Sequence, residues 1–427
     1  MSQSYPGLLP GPGGWDHPVE FFYESGTLLV REEYADRAFA ILRATGVLPT
    51  PGGPEGAASA YNPPEPTDHE PRKRTAGVQV MRLVVPEVRF STIDTLRFLL
   101  HGTPLGDLTL PPDVQPLGAG AASLNHLVHI TGNGGGCPAR EPEPVDPGTP
   151  IVPPSTRDAM AGEGVRVVVI DTPLDEATRD STPWLQGVEG VEEPPGTNLP
   201  PQHDRYFGHG TFIAGIVRTL APRAEVIVRA RFQRSGAALE TELISALEQT
   251  LIEDNPDIIS LSAGTYTFEN SGLLGLNTFY ESQLRHHKGV VLVAAAGNDN
   301  ERAPFWPAAA PFAVSAGALN ARCDGKADYS NHGGWVDVYA PGTDLINAYP
   351  TGWYDYEEPP YDRTPRREWF SGLASWSGTS FATPVVAGLI AARMSHTGEN
   401  GRTAAEALIR DAQAVALPGV GAVLMAR

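Results

Sequence analysis

Four polar residues, from position 171 to position 380, either follow an apolar run or stand close to glycines. Asp171 ends the apolar run VRVVVID, and Asn298 follows the run AAAG. His209 has a glycine on each side, and Ser380 lies in SGTSFATPVVAG. Hydrolysis of an amide needs a nucleophile, a base, a group that orients the base and donors for the oxyanion. Ser380, His209, Asp171 and Asn298 could fill these roles in that order.

Each of these residues also has an ordinary structural interpretation. Asp171 could be a turn or helix-capping aspartate, and Asn298 could be a turn residue, since Gly-Asn is common in turns. Ser380 could be a helix N-cap. His209 could be a core histidine, but two flanking glycines leave its ring little local packing, which favours a functional role.

The elements that would position these residues alternate between strands and helices. The strands read as continuous apolar runs, namely VRVVVID, EVIVRAR, DIISLS, VVLVAAAG and PFAVSAG. A helix over Ala238–Glu253 carries a leucine stripe. Strands that are apolar throughout are buried on both faces, as in a parallel sheet flanked by helices. We therefore predict an α/β domain with a mostly parallel sheet and the polar residues at the carboxyl ends of its strands.

The sequence before this domain divides into two further parts. Residues 1–131 predict a small α+β region with strands at 26–31, 78–85 and 124–130, a helix at 32–44 and another capped by Ser91. A stretch at 49–75, rich in proline, glycine and charge, is typical of disorder. Residues 132–160 read as a Pro/Gly-rich linker whose segment 132–154 should be extended and exposed. The α/β domain then occupies 161–427.

Composition narrows the choice of partners and compartment. The formal net charge of -19 repels phosphate backbones, so we expect no nucleic-acid partner. No apolar run approaches the ~20 residues of a membrane helix, and no signal peptide is recognisable at the start. We therefore expect no membrane association and a cytoplasmic location, with export by another route left open. Cys137 and Cys323 define no disulfide framework but permit a single bridge.

Taken together, four segments resemble the subtilase family of serine peptidases. They are VVVIDTP, GHGTFIAGIV, AAAGN and SGTSFATPVVAG, and the order Asp, His, Ser is that of subtilisins. The resemblance implies a serine endopeptidase working through an acyl-enzyme, with Asp171, His209 and Ser380 as the triad and Asn298 in the oxyanion hole. It also implies that two segments line the cleft and pair with an extended peptide, namely Leu261, Ser262, Ala263 and Gly264, and Ala294, Ala295, Ala296 and Gly297.

The resemblance leaves some points open. Many subtilases have glycine where this chain has Pro173, which puts the positioning of Asp171 in question. A peptide-binding pseudo-peptidase and a transpeptidase or macrocyclase on the same fold are the alternative functions. The triad chemistry implies no cofactor. Many subtilases bind calcium, and Glu189, Glu192 and Glu193 are candidate ligands, although we favour an acidic loop facing solvent.

The N-terminal region has a pattern of its own. Its order of strands and helices resembles that of the small propeptides of subtilases, which implies that it packs on the catalytic domain. His126 and His129 are spaced H-x-x-H, but on a strand they would face opposite sides, so we expect no shared metal.

Overall fold

The computed structural model describes residues 8–11, 21–44, 74–82, 90–130, 139–145, 155–190, 202–203, 205–232, 236–356 and 366–426. The strands of these residues are β1 (Leu8–Pro10), β2 (Phe22–Arg31), β3 (Arg74–Thr75), β4 (Val78–Arg82), β5 (Ala122–His129), β6 (Glu143–Pro144), β7 (Arg166–Asp171), β8 (Glu189–Gly190), β9 (Gln202–His203), β10 (Glu225–Ala230), β11 (Ala237–Leu239), β12 (Ile258–Leu261), β13 (Val291–Ala295), β14 (Ala313–Leu319), β15 (Val338–Pro341), β16 (Leu345–Ala348), β17 (Gly352–Asp355), β18 (Arg367–Phe370) and β19 (Leu373–Trp376). The α-helices are α1 (Glu32–Ala44), α2 (Thr92–His101), α3 (Glu176–Ser181), α4 (His209–Leu220), α5 (Glu240–Glu253), α6 (Leu274–Ser282), α7 (Thr379–Thr397) and α8 (Gly401–Ala414).

A parallel sheet of seven strands forms the centre of the molecule, in the order β15-β14-β13-β12-β7-β10-β8. Strands β12, β13 and β14 are buried along their whole length. This agrees with the prediction from continuous apolar runs, because a strand covered by helices on both faces has no polar side. The carboxyl ends of β7, β12 and β13 therefore lie side by side.

Helices cover this sheet and complete one large core. Helix α7 contacts β12 to β15 and crosses α4, which packs on β7 and β10. A Cβ at Gly388 of α7 would lie 2.8 Å from the Cβ of Leu220, so glycine permits the close approach of the two helices. Helix α5 contributes Leu243, Leu247 and Leu251 to the same core.

The N-terminal residues form a second, antiparallel sheet in the order β11-β5-β2-β4-β3, with β1 paired to β2. Helices α1 and α2 pack on β2, β4 and β5. The predicted helix at 32–44 and the Ser91 cap are confirmed, since Ser91 accepts a hydrogen bond from the Asp94 N–H. The same sheet contacts α5 and α6 of the catalytic region. Strand β11 belongs to that region but adds to the N-terminal sheet.

Two expectations from the sequence differ from the structure. Helix α5 begins at Glu240 rather than Ala238, because Ala238 and Leu239 pair with β5 as strand β11. The linker is not wholly exposed, since Glu141 is 3% exposed and β6 pairs with β19. A proline-rich segment still carries carbonyl groups, and the Tyr356 hydroxyl donates to the Pro142 carbonyl at 2.7 Å. Most of the predicted disordered insert lies outside the described residues.

Among the described residues, no helix is long and apolar enough to cross a membrane.

Candidate active site

Asp171 lies at the carboxyl end of β7 and its side chain is fully buried. Its Oδ1 accepts hydrogen bonds from the Thr172 N–H at 2.7 Å and from His209. A buried carboxylate is costly unless such partners compensate for the water it has lost. Both contacts are made by Oδ1, whereas Oδ2 has no hydrogen-bond partner among the described residues.

His209 begins α4, and its Nδ1 lies 2.6 Å from Asp171 Oδ1. An ionised carboxylate only accepts hydrogen bonds, so Nδ1 carries the proton and Nε2 is left as a base. Gly210 makes this contact possible, because a Cβ there would lie 2.2 Å from the Thr172 carbonyl oxygen. The rings of Trp376 and Phe381 pack on the imidazole, each with its centroid at 5.4 Å. The predicted pair of Asp171 and His209 is therefore brought together and held rigidly.

Ser380 is the second residue of α7 and lies at the positive end of the helix dipole. Its carbonyl oxygen accepts a hydrogen bond from Ser262 Oγ at 2.8 Å. Ser380 Oγ and His209 Nε2 are both buried and have no hydrogen-bond partner within the described part of the chain. The contact between nucleophile and base is thus not closed in this structure. Such contacts often tighten only when substrate binds.

Asn298 follows β13 and is oriented by Thr379, the residue before the serine. Its Oδ1 accepts hydrogen bonds from the Thr379 N–H and from Thr379 Oγ1, both at 2.9 Å. With the oxygen held in this way, the amide nitrogen faces the opposite direction. Thr379 Oγ1 also accepts from the Gly297 N–H at 3.1 Å. Thr379 is a positioning residue that the sequence analysis missed, although it stands in the same motif.

Asn331 holds the loop that carries Asn298. Its Oδ1 accepts from the N–H groups of Asp299 and Glu301, and its Nδ2 donates to the Ala296 carbonyl and the Tyr266 hydroxyl. Burial, and secondarily the nearby Asp299, raise the pKa of Tyr266. The phenol therefore keeps its proton and donates to Asp299 at 2.9 Å. Nothing local in the sequence around Asn331 indicated this role.

Pro173, where many subtilases have glycine, does not separate Asp171 from His209. Thr172 fixes the loop instead, because its Oγ1 accepts a hydrogen bond from the Gly210 N–H at 2.9 Å. The loop after Asp171 has a conformation that accommodates proline, which answers the doubt raised by the sequence.

The predicted substrate-binding residues divide into two groups. Gly264 offers backbone groups to an extended strand: His129 N donates to its carbonyl at 3.1 Å, and its N–H donates to the His129 carbonyl at 2.9 Å. Ala263 is buried beside it, and Ser262 holds the Ser380 backbone as described above.

The remaining predicted residues do not form a free edge. Leu261 and Ala294 are paired on both sides within the central sheet, and Ala295 and Ala296 bond to β14. Gly297 bonds to Thr379 and Asn331. The backbone groups of these residues are used within the sheet and in the loop that carries Asn298, and the prediction that they line the substrate cleft stays a prediction.

Gly236 and β11 bond to β5 on the side opposite Gly264. Ile130 N donates to the Gly236 carbonyl at 2.9 Å, and β11 pairs with β5 in the register Ala237↔His129 to Leu239↔Leu127. The end of β5 thus lies between Gly236–Leu239 on one side and Gly264 on the other. The run of small residues at 236–238 was the only signal for this pairing in the sequence.

A second segment from outside the catalytic region contacts the residues just before Ser380. Ala139 N donates to the Ser377 carbonyl at 3.2 Å, and Trp376 Nε1 donates to the Arg140 carbonyl at 2.8 Å. Trp376 in turn packs on His209. Ala139 and Arg140 therefore lie beside the residues that precede Ser380.

No group of three or more His, Cys, Asp or Glu side chains suited to a metal occurs among the described residues. Glu189 lies in β8, whereas Glu192, Glu193 and Cys137 lie outside the described residues. Burial, and secondarily Asp324, raise the pKa of the Cys323 thiol.

Comparison with known proteins agrees with this geometry. The model of the subtilase family matches residues 162–422. Thermitase of Thermoactinomyces vulgaris is 30% identical over 269 residues, which cover 60% of this chain and 85% of thermitase. Subtilisin E of Bacillus subtilis is 29% identical over 247 residues, 55% of this chain and 56% of that protein. The chain thus spans most of thermitase but only about half of several other relatives.

Among solved structures, a cold adapted subtilisin-like serine proteinase aligns with a TM-score of 0.46 and 21% identity, over 67% of this chain and 95% of its own. Patellamide maturation protease PatA aligns with a TM-score of 0.44 and 26% identity, over 60% of this chain and 88% of its own.

Proposed function

The chain belongs to the subtilase family and is a serine-type endopeptidase, and we propose that Ser380, His209 and Asp171 are its catalytic triad. The observation that carries this assignment is the buried 2.6 Å hydrogen bond between Asp171 and His209, formed beside the helix start that bears Ser380. No cofactor enters this chemistry.

In the proposed reaction, Ser380 Oγ attacks the carbonyl carbon of the scissile peptide bond. His209 Nε2 takes the hydroxyl proton and later delivers it to the leaving amine, which gives an acyl-enzyme. Asp171 keeps the Nδ1 proton in place and stabilises the imidazolium that forms. Water, activated by the same histidine, then hydrolyses the acyl-enzyme.

The oxyanion would be held by the Asn298 amide and the Ser380 N–H. The anchoring of Asn298 Oδ1 by Thr379 supports this role, because it fixes the orientation of the amide before substrate arrives. A preorganised donor costs no reorganisation when charge develops on the substrate oxygen.

The substrates are peptides or proteins, and we further propose that the N-terminal region restrains the enzyme. The hydrogen bonds of His129 with Gly264 and of Ile130 with Gly236 support this proposal, since they occupy backbone groups that a substrate strand would use. Arg31 and Glu281, whose closest contact is 2.6 Å, add an ion pair between the N-terminal sheet and α6.

The test is the Ser380→Ala variant beside the wild type, with labelled casein as substrate. Loss of a triad member reduces turnover by about 10⁶-fold, a value measured on a subtilisin. We expect casein cleavage and labelling by a fluorophosphonate probe to disappear together, with the melting temperature retained. The mass of the products separates hydrolysis, which adds one water, from transfer to an amine. Wild-type cleavage by the alanine variant, or labelling of another serine, would contradict the assignment.

A further inference from the structure

A carboxylate with one unsatisfied oxygen lies buried at the start of α5. Glu240 is 0% exposed, and its Oε1 accepts a hydrogen bond from the Gly275 N–H at 2.6 Å. Its Oε2 has no hydrogen-bond partner among the described residues. Oε2 lies 3.7 Å from Nδ1 of His126, which is equally buried. The proposed catalytic mechanism makes no use of this pair.

The proton on His126 can be placed from its surroundings. Nε2 accepts a hydrogen bond from the Phe268 N–H at 3.2 Å. A nitrogen that accepts carries no proton, so the proton of the ring is on Nδ1, the atom that faces Glu240. The imidazole therefore accepts from the Phe268 N–H and directs its Nδ1 proton towards the carboxylate of Glu240, at 3.7 Å, which is longer than a hydrogen bond.

Glu240 and Phe268 belong to the catalytic region, whereas His126 lies on β5 of the N-terminal region. A carboxylate buried without a partner costs several kcal/mol. One oxygen of Glu240 thus depends on a side chain delivered by a strand that lies in the cleft. A peptide that took the place of β5 would have to supply a proton donor for Oε2 of Glu240.

The register of β5 says which substrate residue this would be. Gly264 pairs with His129, and Ser262, two residues before Gly264, holds the backbone of Ser380. In an antiparallel pairing, the residue opposite Ser262 comes two after the one opposite Gly264. In β5, His126 faces Glu240 and lies three positions before His129, the residue opposite Gly264. We place the attacked carbonyl on the residue opposite Ser262, because Ser262 bonds to the backbone of Ser380, so the residue on Glu240 precedes it by five positions.

We propose that Glu240 is a specificity-determining residue, which selects peptides with histidine five positions before the residue whose carbonyl is attacked. This rests on the proposed endopeptidase function and on β5 marking the path of the substrate. Lysine or arginine would satisfy the carboxylate but offers no acceptor to the Phe268 N–H. An aliphatic side chain would satisfy neither group. The expected order is histidine, then lysine or arginine, then leucine.

The test uses three quenched fluorescent peptides that differ only at this position, carrying histidine, lysine or leucine. Ratios of kcat/KM are measured with one preparation of the full chain, because a ratio does not depend on the fraction of enzyme that is active. Leucine would leave the buried carboxylate facing an apolar side chain, which predicts about a 10-fold or larger preference for histidine over leucine.

The variant Glu240→Gln should reduce that ratio towards one while casein is still cleaved. Glu253→Gln is the matched control, because Glu253 is exposed at the other end of α5 and should leave the ratio unchanged. A wild type that cleaves casein in a Ser380-dependent way but prefers neither peptide, within twofold, would overturn this inference and leave the proposed function intact.

A second measurement decides the question if no peptide is cleaved. His126→Leu, Glu240→Gln and the double variant are compared by thermal unfolding of the full chain in a Ser380→Ala background. We expect the double variant to melt above His126→Leu, since neutralising the carboxylate removes the charge that the leucine leaves buried. Additive losses in melting temperature would refute the pairing, whereas absent casein cleavage by the wild type would count against the proposed function instead.

Discussion

The hydroxyl of Thr379 offers a sharp test of how the oxyanion donor is positioned. The substitution Thr379→Val keeps the shape of the side chain and removes Oγ1. It deletes one of the two hydrogen bonds to Asn298 Oδ1 and the acceptor for the Gly297 N–H. The backbone N–H of Thr379 still donates to Asn298 at 2.9 Å. The amide is therefore loosened but not released.

The expected loss in kcat is limited, because the backbone hydrogen bond from Thr379 to Asn298 remains. A neutral hydrogen bond contributes about 0.5–1.5 kcal/mol net, which corresponds to roughly 2- to 12-fold in rate. Full removal of an oxyanion donor costs about 10²–10³-fold in kcat, a range measured on a subtilisin asparagine. We expect Thr379→Val to lower kcat by roughly 10-fold. KM should be nearly unchanged, because the contact acts on charge that exists only in the transition state.

Steady-state kinetics on a single peptide measure kcat and KM separately. Thr379→Ser is the control, since it keeps the hydroxyl and should stay close to the wild type. Thr379 is fully buried, so melting temperatures of both variants are recorded to separate misfolding from mispositioning. A Thr379→Val enzyme with unchanged kcat, or with the whole loss in KM, would refute the proposed positioning of Asn298.

Three further predictions test other parts of the molecule. Asn298→Ala should lower kcat by about 10²–10³-fold with little change in KM, and a raised KM at unchanged kcat would assign it to ground-state binding instead. Pro173→Gly should cost about 0.4–1 kcal/mol of stability, since glycine frees the unfolded chain; a several-fold gain in turnover without a lower melting temperature would contradict the adapted loop. The hydrogen bond from Arg31 lowers the pKa of Glu281 in the folded protein. The pair therefore stabilises the fold at pH values above the pKa of Glu281 in the unfolded chain. This stabilisation is lost as the pH falls through the lower pKa of Glu281 in the folded protein. Because Glu281 is 48% exposed, Glu281→Gln should cost no more than about 1 kcal/mol at neutral pH, and an equal loss on acidification in wild type and variant would exclude this pair as the cause.

Much of the candidate site could be predicted from sequence because the requirements are local. Asp171 follows an apolar strand, His209 needs glycines to approach the loop after Asp171, and Ser380 opens an apolar helix. Each of these requirements is met by a few residues that are adjacent in the sequence. The central sheet was predictable for the same reason, since burial on both faces leaves no polar alternation in a strand.

The strands that flank β5 were decided by the tertiary structure. Leu261 and Ala294 resemble cleft residues in sequence, but their backbone groups bond to neighbouring strands. The edge that does meet an extended strand includes Ala237 and Ala238, whose small side chains carry no periodic signal. Whether a backbone group is free depends on strand order, which joins residues far apart in the chain.

The contacts across the regions were likewise invisible in the sequence. His126 and Glu240 are separated by more than a hundred positions, and neither stands in a motif. Ala139 belongs to a segment whose composition is typical of a linker, yet its N–H bonds to Ser377 beside the catalytic centre. Sequence by itself determined the proposed catalytic groups and the core strands, because steric and burial demands act over a few neighbouring residues. Only the tertiary structure decided which strands flank β5 and which charges are buried together, because strand pairing and buried charge depend on partners brought together from distant parts of the chain.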